Sequence, residues 1–118
     1  MTLREVKEIL RAEVLAGEEL LDQREPRSAC GSDLLSDVLA FTKDNSLLLT
    51  GLTNPQVIRT AEMIDLIGVV FVRGKRPEPA TVELAVIKKI PLLATRLPMY
   101  EACGRLYLQG LRGCSEIE

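Results

Sequence analysis

Three short stretches carry most of the polar groups suited to holding a ligand. Thr50 to Asn54 offers the hydroxyls of Thr50 and Thr53, the Asn54 amide and a glycine, Gly51, at the mouth of a predicted helix. Arg73 to Arg76 places Arg73, Lys75 and Arg76 around Gly74, and Thr95 to Pro98 offers Thr95 and Arg96. Cations, hydroxyls and the free N–H groups of a helix start are what a phosphate or carboxylate needs. These residues are therefore the candidate ligand-binding set, for a small anionic metabolite or nucleotide. The competing reading is structural: Thr53 and Asn54 cap a helix, and the three cations form a solvated turn facing an acidic patch on the same chain or on a protein partner.

Catalytic chemistry finds little support. The chain has no His, and no serine or cysteine sits in a nucleophile elbow. Neither a G-x-x-x-x-G-K-[ST] phosphate loop nor a G-x-G-x-x-G dinucleotide turn is present, which argues against an ordinary nucleotide hydrolase or dehydrogenase. Asp33, Ser36 and Asp37 stand at i, i+3 and i+4, a spacing at which oxygen ligands can share Mg²⁺. Acidic side chains in a first helical turn are already favoured by the helix dipole, by a few tenths to ~1 kcal/mol each, and that explanation is preferred. Cys30, Cys103 and Cys114 lack C-x-x-C spacing and read as incidental thiols in a reducing compartment. No enzyme, metal or cofactor is expected.

These loops need elements to position them. At 118 residues, 47% apolar and 27% charged, the chain fits one core. Residues 1–114 are expected to form a single domain and 115–118 a frayed tail. With two Phe, two Tyr and no Trp, the apolar content is aliphatic, which suits parallel strands under helices and leaves almost nothing for bases to stack on. A net charge of −2 gives no general attraction to nucleic acid. Charge is uneven: residues 1–72 hold 7 basic and 12 acidic side chains, residues 73–118 hold 8 and 5, so an anion site belongs in the second half. No apolar run approaches the ~20 residues of a membrane span, and Met1 to Glu5 leads into an amphipathic segment, so a cytoplasmic protein that meets no membrane is expected.

Thr2 and Glu5 make a capping box for a helix with Leu3, Val6, Ile9 and Leu10 inward. Glu13 to Ala16 and Ser28 to Cys30 read as short strands. Ser32 and Asp33 are the predicted caps of a helix with Leu34, Leu35, Val38 and Leu39 on one side, ending near Lys43. Strand and helix then alternate: Leu47 to Thr50, a helix from Pro55, Gly68 to Val72, a helix over Pro79 to Lys89 with Val82, Ala85 and Val86 inward, Ile90 to Thr95, and a last helix marked by Met99, Ala102, Cys103 and Leu106. Consecutive strand-helix units imply a three-layer α/β/α fold on a mainly parallel sheet. The three loops would then lie side by side at the carboxyl ends of the strands.

The order of segments resembles the DRTGG domain family, and more remotely the N-terminal domain of HPr kinase. Leu48-Leu49-Thr50-Gly51 before a Pro55-started helix, Val70 to Pro77, and Ile90-Pro91-Leu92-Leu93 through Tyr100-Glu101-Ala102 are similar to the family's strand, Gly-Gly and closing segments. Ser32 to Ala40 is similar to a segment of its small members. The family's Asp, Arg and Thr fall on Leu52, Thr53 and Asn54, and the first glycine of its pair on Arg73, while Gly51 and Gly74 are retained. The resemblance implies a stand-alone, non-catalytic regulatory domain, a homodimer sensing an adenine nucleotide. Its relatives are fused to CBS domains in regulatory pyrophosphatases and to phosphate acetyltransferases. A protein-interaction or assembly module with no small-molecule ligand is the alternative.

Overall fold

Every residue of Ser46–Thr50 is buried; Leu47 and Leu49 enter one apolar cluster while Leu48 enters another. A strand buried on both faces needs a layer on each side, which helical crossovers between parallel strands supply. A computed structural model, describing residues 1–117, meets that demand with five strands and five helices. The strands are β1 (Glu13–Ala16), β2 (Ser28–Gly31), β3 (Ser46–Thr50), β4 (Gly68–Phe71) and β5 (Leu92–Ala94), in the spatial order β1-β5-β4-β3-β2. All pairs are parallel except β1 with β5. The helices are α1 (Leu3–Leu10), α2 (Leu35–Phe41), α3 (Gln56–Met63), α4 (Pro79–Lys88) and α5 (Met99–Leu108). α1 and α5 pack on Leu47, Leu49, Val70 and Leu93; α2, α3 and α4 cover Leu48, Val69, Phe71 and Leu92. The result is the expected three-layer α/β fold, with an antiparallel edge strand added.

Local chemistry explains most boundaries. The Thr2 hydroxyl accepts the Glu5 N–H at 3.2 Å and Glu5 returns a carboxylate to the Thr2 N–H at 3.1 Å, which starts α1 at Leu3. Arg11 closes it in the left-handed region at φ +50°. Two helices turn differently from the expectation. α2 starts at Leu35, one or two residues later than caps at Ser32 and Asp33 imply, because Asp33 bonds to the β3 loop and Ser32 to the Leu34 N–H. Val38 is buried, while Leu34 and Leu39 are exposed. In α4 the Thr81 hydroxyl donates to the Thr53 carbonyl at 2.7 Å, which aims Thr81 and Ala85 at the sheet and leaves Val86 60% exposed.

The outer edge of β2 is covered by the chain's own end. Ala29 donates to the Arg112 carbonyl at 2.9 Å and pairs with Gly113, which blunts a strand edge that would otherwise be free to recruit another. Cys114–Glu116 forms a 3₁₀ turn in which Glu116 accepts from the Gly113 N–H at 3.1 Å and the Tyr107 hydroxyl at 2.8 Å, and Lys43 bonds the Ile117 carbonyl. The segment expected to fray is thus tied as far as Ile117, and Glu118 lies outside the described residues.

Two glycines separate conformational strain from steric contact. Gly17 and Gly74 are both left-handed, at φ +77° and +68°, but a Cβ at Gly17 would sit 2.8 Å from the Pro91 Cα, whereas one at Gly74 meets nothing within 4 Å. Gly74→Ala is expected to lose ~1 kcal/mol of stability from backbone strain alone. Gly17→Ala adds overpacking against backbone and is expected to lose more than about 2 kcal/mol. Urea denaturation of the two variants checks the difference; equal losses would remove the steric argument.

Candidate functional site

In a parallel sheet the carboxyl ends of the strands open toward the loops where ligands bind. Beyond β4, Arg73 and Gly74 are consecutive left-handed residues, at φ +58° and +68°, and they turn the chain back on the β5 loop. The Arg73 N–H donates to the Leu97 carbonyl at 2.8 Å, Gly74 to Thr95 at 2.9 Å and Lys75 to Val72 at 3.1 Å. The amides of Arg73, Gly74 and Lys75 are therefore occupied within the protein and form no anion-binding nest. The buried Thr95 hydroxyl donates to the Leu10 carbonyl at 2.8 Å and accepts the Leu97 N–H at 3.2 Å. It ties the end of α1 to the end of β5.

That tie creates two adjoining clefts. One, of about 370 Å³, is lined by Arg11, Glu13, Gly74, Arg76, Ala94, Thr95 and Arg96. The other, of about 220 Å³, shares Arg11, Thr95 and Arg96 and adds Leu10, Leu97 and Arg105. Four arginines thus border the pair against one carboxylate. Glu13 forms a bidentate bridge with Arg76, both contacts 3.0 Å, which holds the Glu13 carboxyl below its usual range and raises Arg76. Among the described residues no carboxylate pairs with Arg11, Arg96 or Arg105. A surface with three unpaired guanidinium groups facing one hollow attracts anions.

Of the residues singled out in the sequence, Gly74, Thr95 and Arg96 meet here; Arg73 and Lys75 belong to the turn beside the clefts without lining them. The first loop does other work. Thr50 donates to the Asp33 carboxylate at 3.1 Å and Gly51 at 2.6 Å, and Leu52 donates to the Thr50 hydroxyl at 3.2 Å. Asn54 accepts the Gln56 N–H at 3.0 Å, and the Thr53 carbonyl accepts from Glu78 and Thr81. Asp33 is thus a clamp on the β3 loop, and among the described residues no three His, Cys, Asp or Glu side chains gather as a metal site. Arg11, Glu13 and Arg105 went unnoticed in the sequence. Arg11 and Glu13 reach the cleft because β1 lies beside β5, a non-local pairing that no local pattern announces.

The thiols differ in character. Burial pushes Cys30 and Cys103 up. Burial acts the same way on Cys114, but hydrogen bonds from Ser28, the Lys43 backbone and Ser46 outweigh it and hold that thiol below its usual value. At the opposite end of the sheet, a hollow of about 470 Å³ mixes Arg24, Lys88 and Lys89 with Glu25, Glu62 and Asp65. Cations and acids offset each other there.

With a mainly parallel sheet between two helical layers and its open clefts at the strands' carboxyl ends, the chain falls among the layered α/β domains. It belongs to the DRTGG domain family, whose pattern matches residues 5–108. The fold is also similar to part of a crystal structure of the CBS and DRTGG domains of the regulatory region of Clostridium perfringens pyrophosphatase, complexed with the activator diadenosine tetraphosphate. The TM-score is 0.74 at 18% identity, over 99% of this chain and 50% of that one. The chain therefore spans half the length of that neighbour. No curated protein matches it. No helix among the described residues is long and apolar enough to cross a membrane.

The Glu13–Arg76 bridge sets a pH dependence. A carboxyl whose folded pKa is lowered stabilises the fold above its unfolded value, near 4.5, and that contribution is lost as pH falls through the folded value. Glu13→Gln removes it. The urea midpoints of wild type and Glu13→Gln should differ at pH 7, and the difference should shrink steadily as the pH is lowered below the unfolded carboxyl value. A difference that stays constant down the acid limb would mean that the glutamate acts by packing and not by charge.

Proposed function

We propose that this chain is a non-catalytic regulatory domain that binds a small, multiply charged anion of the nucleotide class in the clefts at the end of β5. The observation that carries the reading is the convergence of Arg11, Arg96 and Arg105, unpaired with any carboxylate among the described residues, on one hollow. Arg96 and Thr95 form its wall, Gly74 lines the adjoining cleft, and Arg73 and Lys75 are rim cations. Thr50, Gly51, Thr53 and Asn54 hold the neighbouring loop in place and reach the ligand only if it extends across the β4 end. The nucleotide class is favoured because the pyrophosphatase region that shares this fold is complexed with a nucleotide activator. The clefts have no aromatic lining, so phosphates supply most of the affinity. A working unit over residues 1–114, a homodimer and a reducing cytoplasmic setting complete the reading; the free thiols suit the last.

A second reading, a protein-interaction or assembly module with no small ligand, draws on the exposed apolar face of α5, where Tyr100 is 87% and Leu108 85% exposed. Thermal shift with ATP, diadenosine tetraphosphate and inorganic tripolyphosphate separates the two. A ligand at 100 times its Kd should add ~2.7 kcal/mol of stability. The shift should shrink in Arg96→Ala and Arg11→Ala and with added salt. No shift at millimolar concentration, or one unchanged in both variants, would leave the interaction reading.

A further inference from the structure

The outer edge of β2 brings together two thiols from distant parts of the chain. Ala29 pairs in parallel with Gly113, so the residues that follow, Cys30 and Cys114, leave that bridge as neighbours. Side chains alternate along a strand, which puts Ser28 and Cys30 on one face of β2. The Cys114 sulfur lies on that same face, 3.1 Å from the Ser28 hydroxyl and 3.7 Å from that of Ser46. Paired backbones run about 4.8 Å apart, within the roughly 4.4–6.8 Å between Cα atoms that a disulfide accepts. Cys103 stands apart from the pair: it packs from α5 on the Leu47 and Leu49 side of the sheet, whereas Cys30 packs on the Leu48 side. The two neighbours also differ in character. Cys114 is partly exposed; burial alone would raise its thiol, but the hydrogen bonds from Ser28, the Lys43 backbone and Ser46, with the charge of Lys43, leave it readier than usual to ionise. Burial pushes Cys30 up, and an ionised Cys114 adds to that, so Cys30 keeps its proton until its neighbour has reacted.

We propose that Cys114 and Cys30 form a peroxide-sensitive pair, with Cys114 the site of oxidation and Cys30 the thiol that resolves it into a disulfide. The Cys114 thiolate attacks the O–O bond of a peroxide. An S–O bond forms, and the hydroxide that leaves takes up the proton released when Cys114 ionised, giving water. The Cys30 sulfur then displaces the sulfenic hydroxyl; the S–S bond forms, and the Cys30 proton departs with the hydroxyl as a second water. Two thiols lose two electrons between them, and one hydrogen peroxide is reduced to two waters. In a reducing compartment such a bond is transient, which is the behaviour of a redox-sensing pair and not of a structural staple. Its consequence falls on the edge of the sheet farthest from the arginine clefts. Reduced, the terminal segment is held to β2 by the Ala29 N–H on the Arg112 carbonyl and by the bridge at Gly113. Oxidised, it is clasped covalently, and the β2 edge stays closed to any added strand.

Thiol labelling and non-reducing peptide mapping of the full chain test the pair, and the wild-type measurements need no variant. Substoichiometric iodoacetamide at pH 7 should label Cys114 ~10-fold faster than Cys30 or Cys103. One equivalent of hydrogen peroxide should give a peptide linking Cys30 to Cys114 within one chain, with Cys103 free. The Ala29 amide should then exchange with deuterium more slowly than in the reduced protein. In Cys30→Ala, shown to be folded by circular dichroism, the same treatment should leave a sulfenic acid on Cys114 that dimedone traps, and Cys103→Ala should behave as wild type. Ser28→Ala should slow the labelling of Cys114 alone. Equal labelling of the three thiols, a disulfide that includes Cys103 or joins two chains, or thiols left unlinked by peroxide would overturn the pair.

Discussion

Burial of the central strands on both faces is the constraint from which the other features follow. The Leu47-Leu48-Leu49 run on β3 and Val69-Val70-Phe71 on β4 have no exposed side, so helices must cover both faces, and helical crossovers between these strands make them parallel. Polar groups are then excluded from the middle of the sheet and collect where the strands end. At the carboxyl ends the two buried threonines, Thr50 and Thr95, each close a loop against a neighbouring element, Thr50 through Asp33 and Thr95 through the Leu10 carbonyl. Each buried hydroxyl is satisfied, and each bond fixes a loop that local propensity alone would leave loose.

The clefts are a by-product of that closure. Tying α1 to β5 brings Arg11 beside Arg96, and the left-handed pair Arg73-Gly74 folds the β4 loop down onto the β5 loop, occupying its amides. What remains to meet a ligand is side-chain charge. This differs from phosphate sites built on backbone N–H groups at a helix start, where the glycine-rich loop itself grips the anion. Guanidinium groups on three different elements, by contrast, suit an elongated or multiply charged ligand, and their attraction is screened by salt.

Much of this was legible in the sequence. The alternation of buried strand and amphipathic helix from Ser46 to Leu106 is a strong local signal, and the fold class followed from it. That Gly74, Thr95 and Arg96 come together at the strand ends was readable from the strand-loop pattern. What was illegible is non-local. The placement of β1 against β5 depends on a pairing across most of the chain, so Arg11 and Glu13 carried no sign of their destination. The start of α2 was misplaced because Asp33, a good cap by type, bonds to a loop 18 residues further on. Val86 was turned outward by one hydroxyl, that of Thr81, which selects the buried face of a helix with apolar residues on several sides.

The central claim is that the anion site lies at the end of β5 and not at the β3 loop. Amide chemical-shift mapping during titration with ATP addresses it directly, because it reports position as well as binding. Perturbations should cluster at Arg11, Gly74, Thr95 to Leu97 and Arg105. A cluster confined to Thr50 through Asn54, or none at saturating nucleotide, would contradict it.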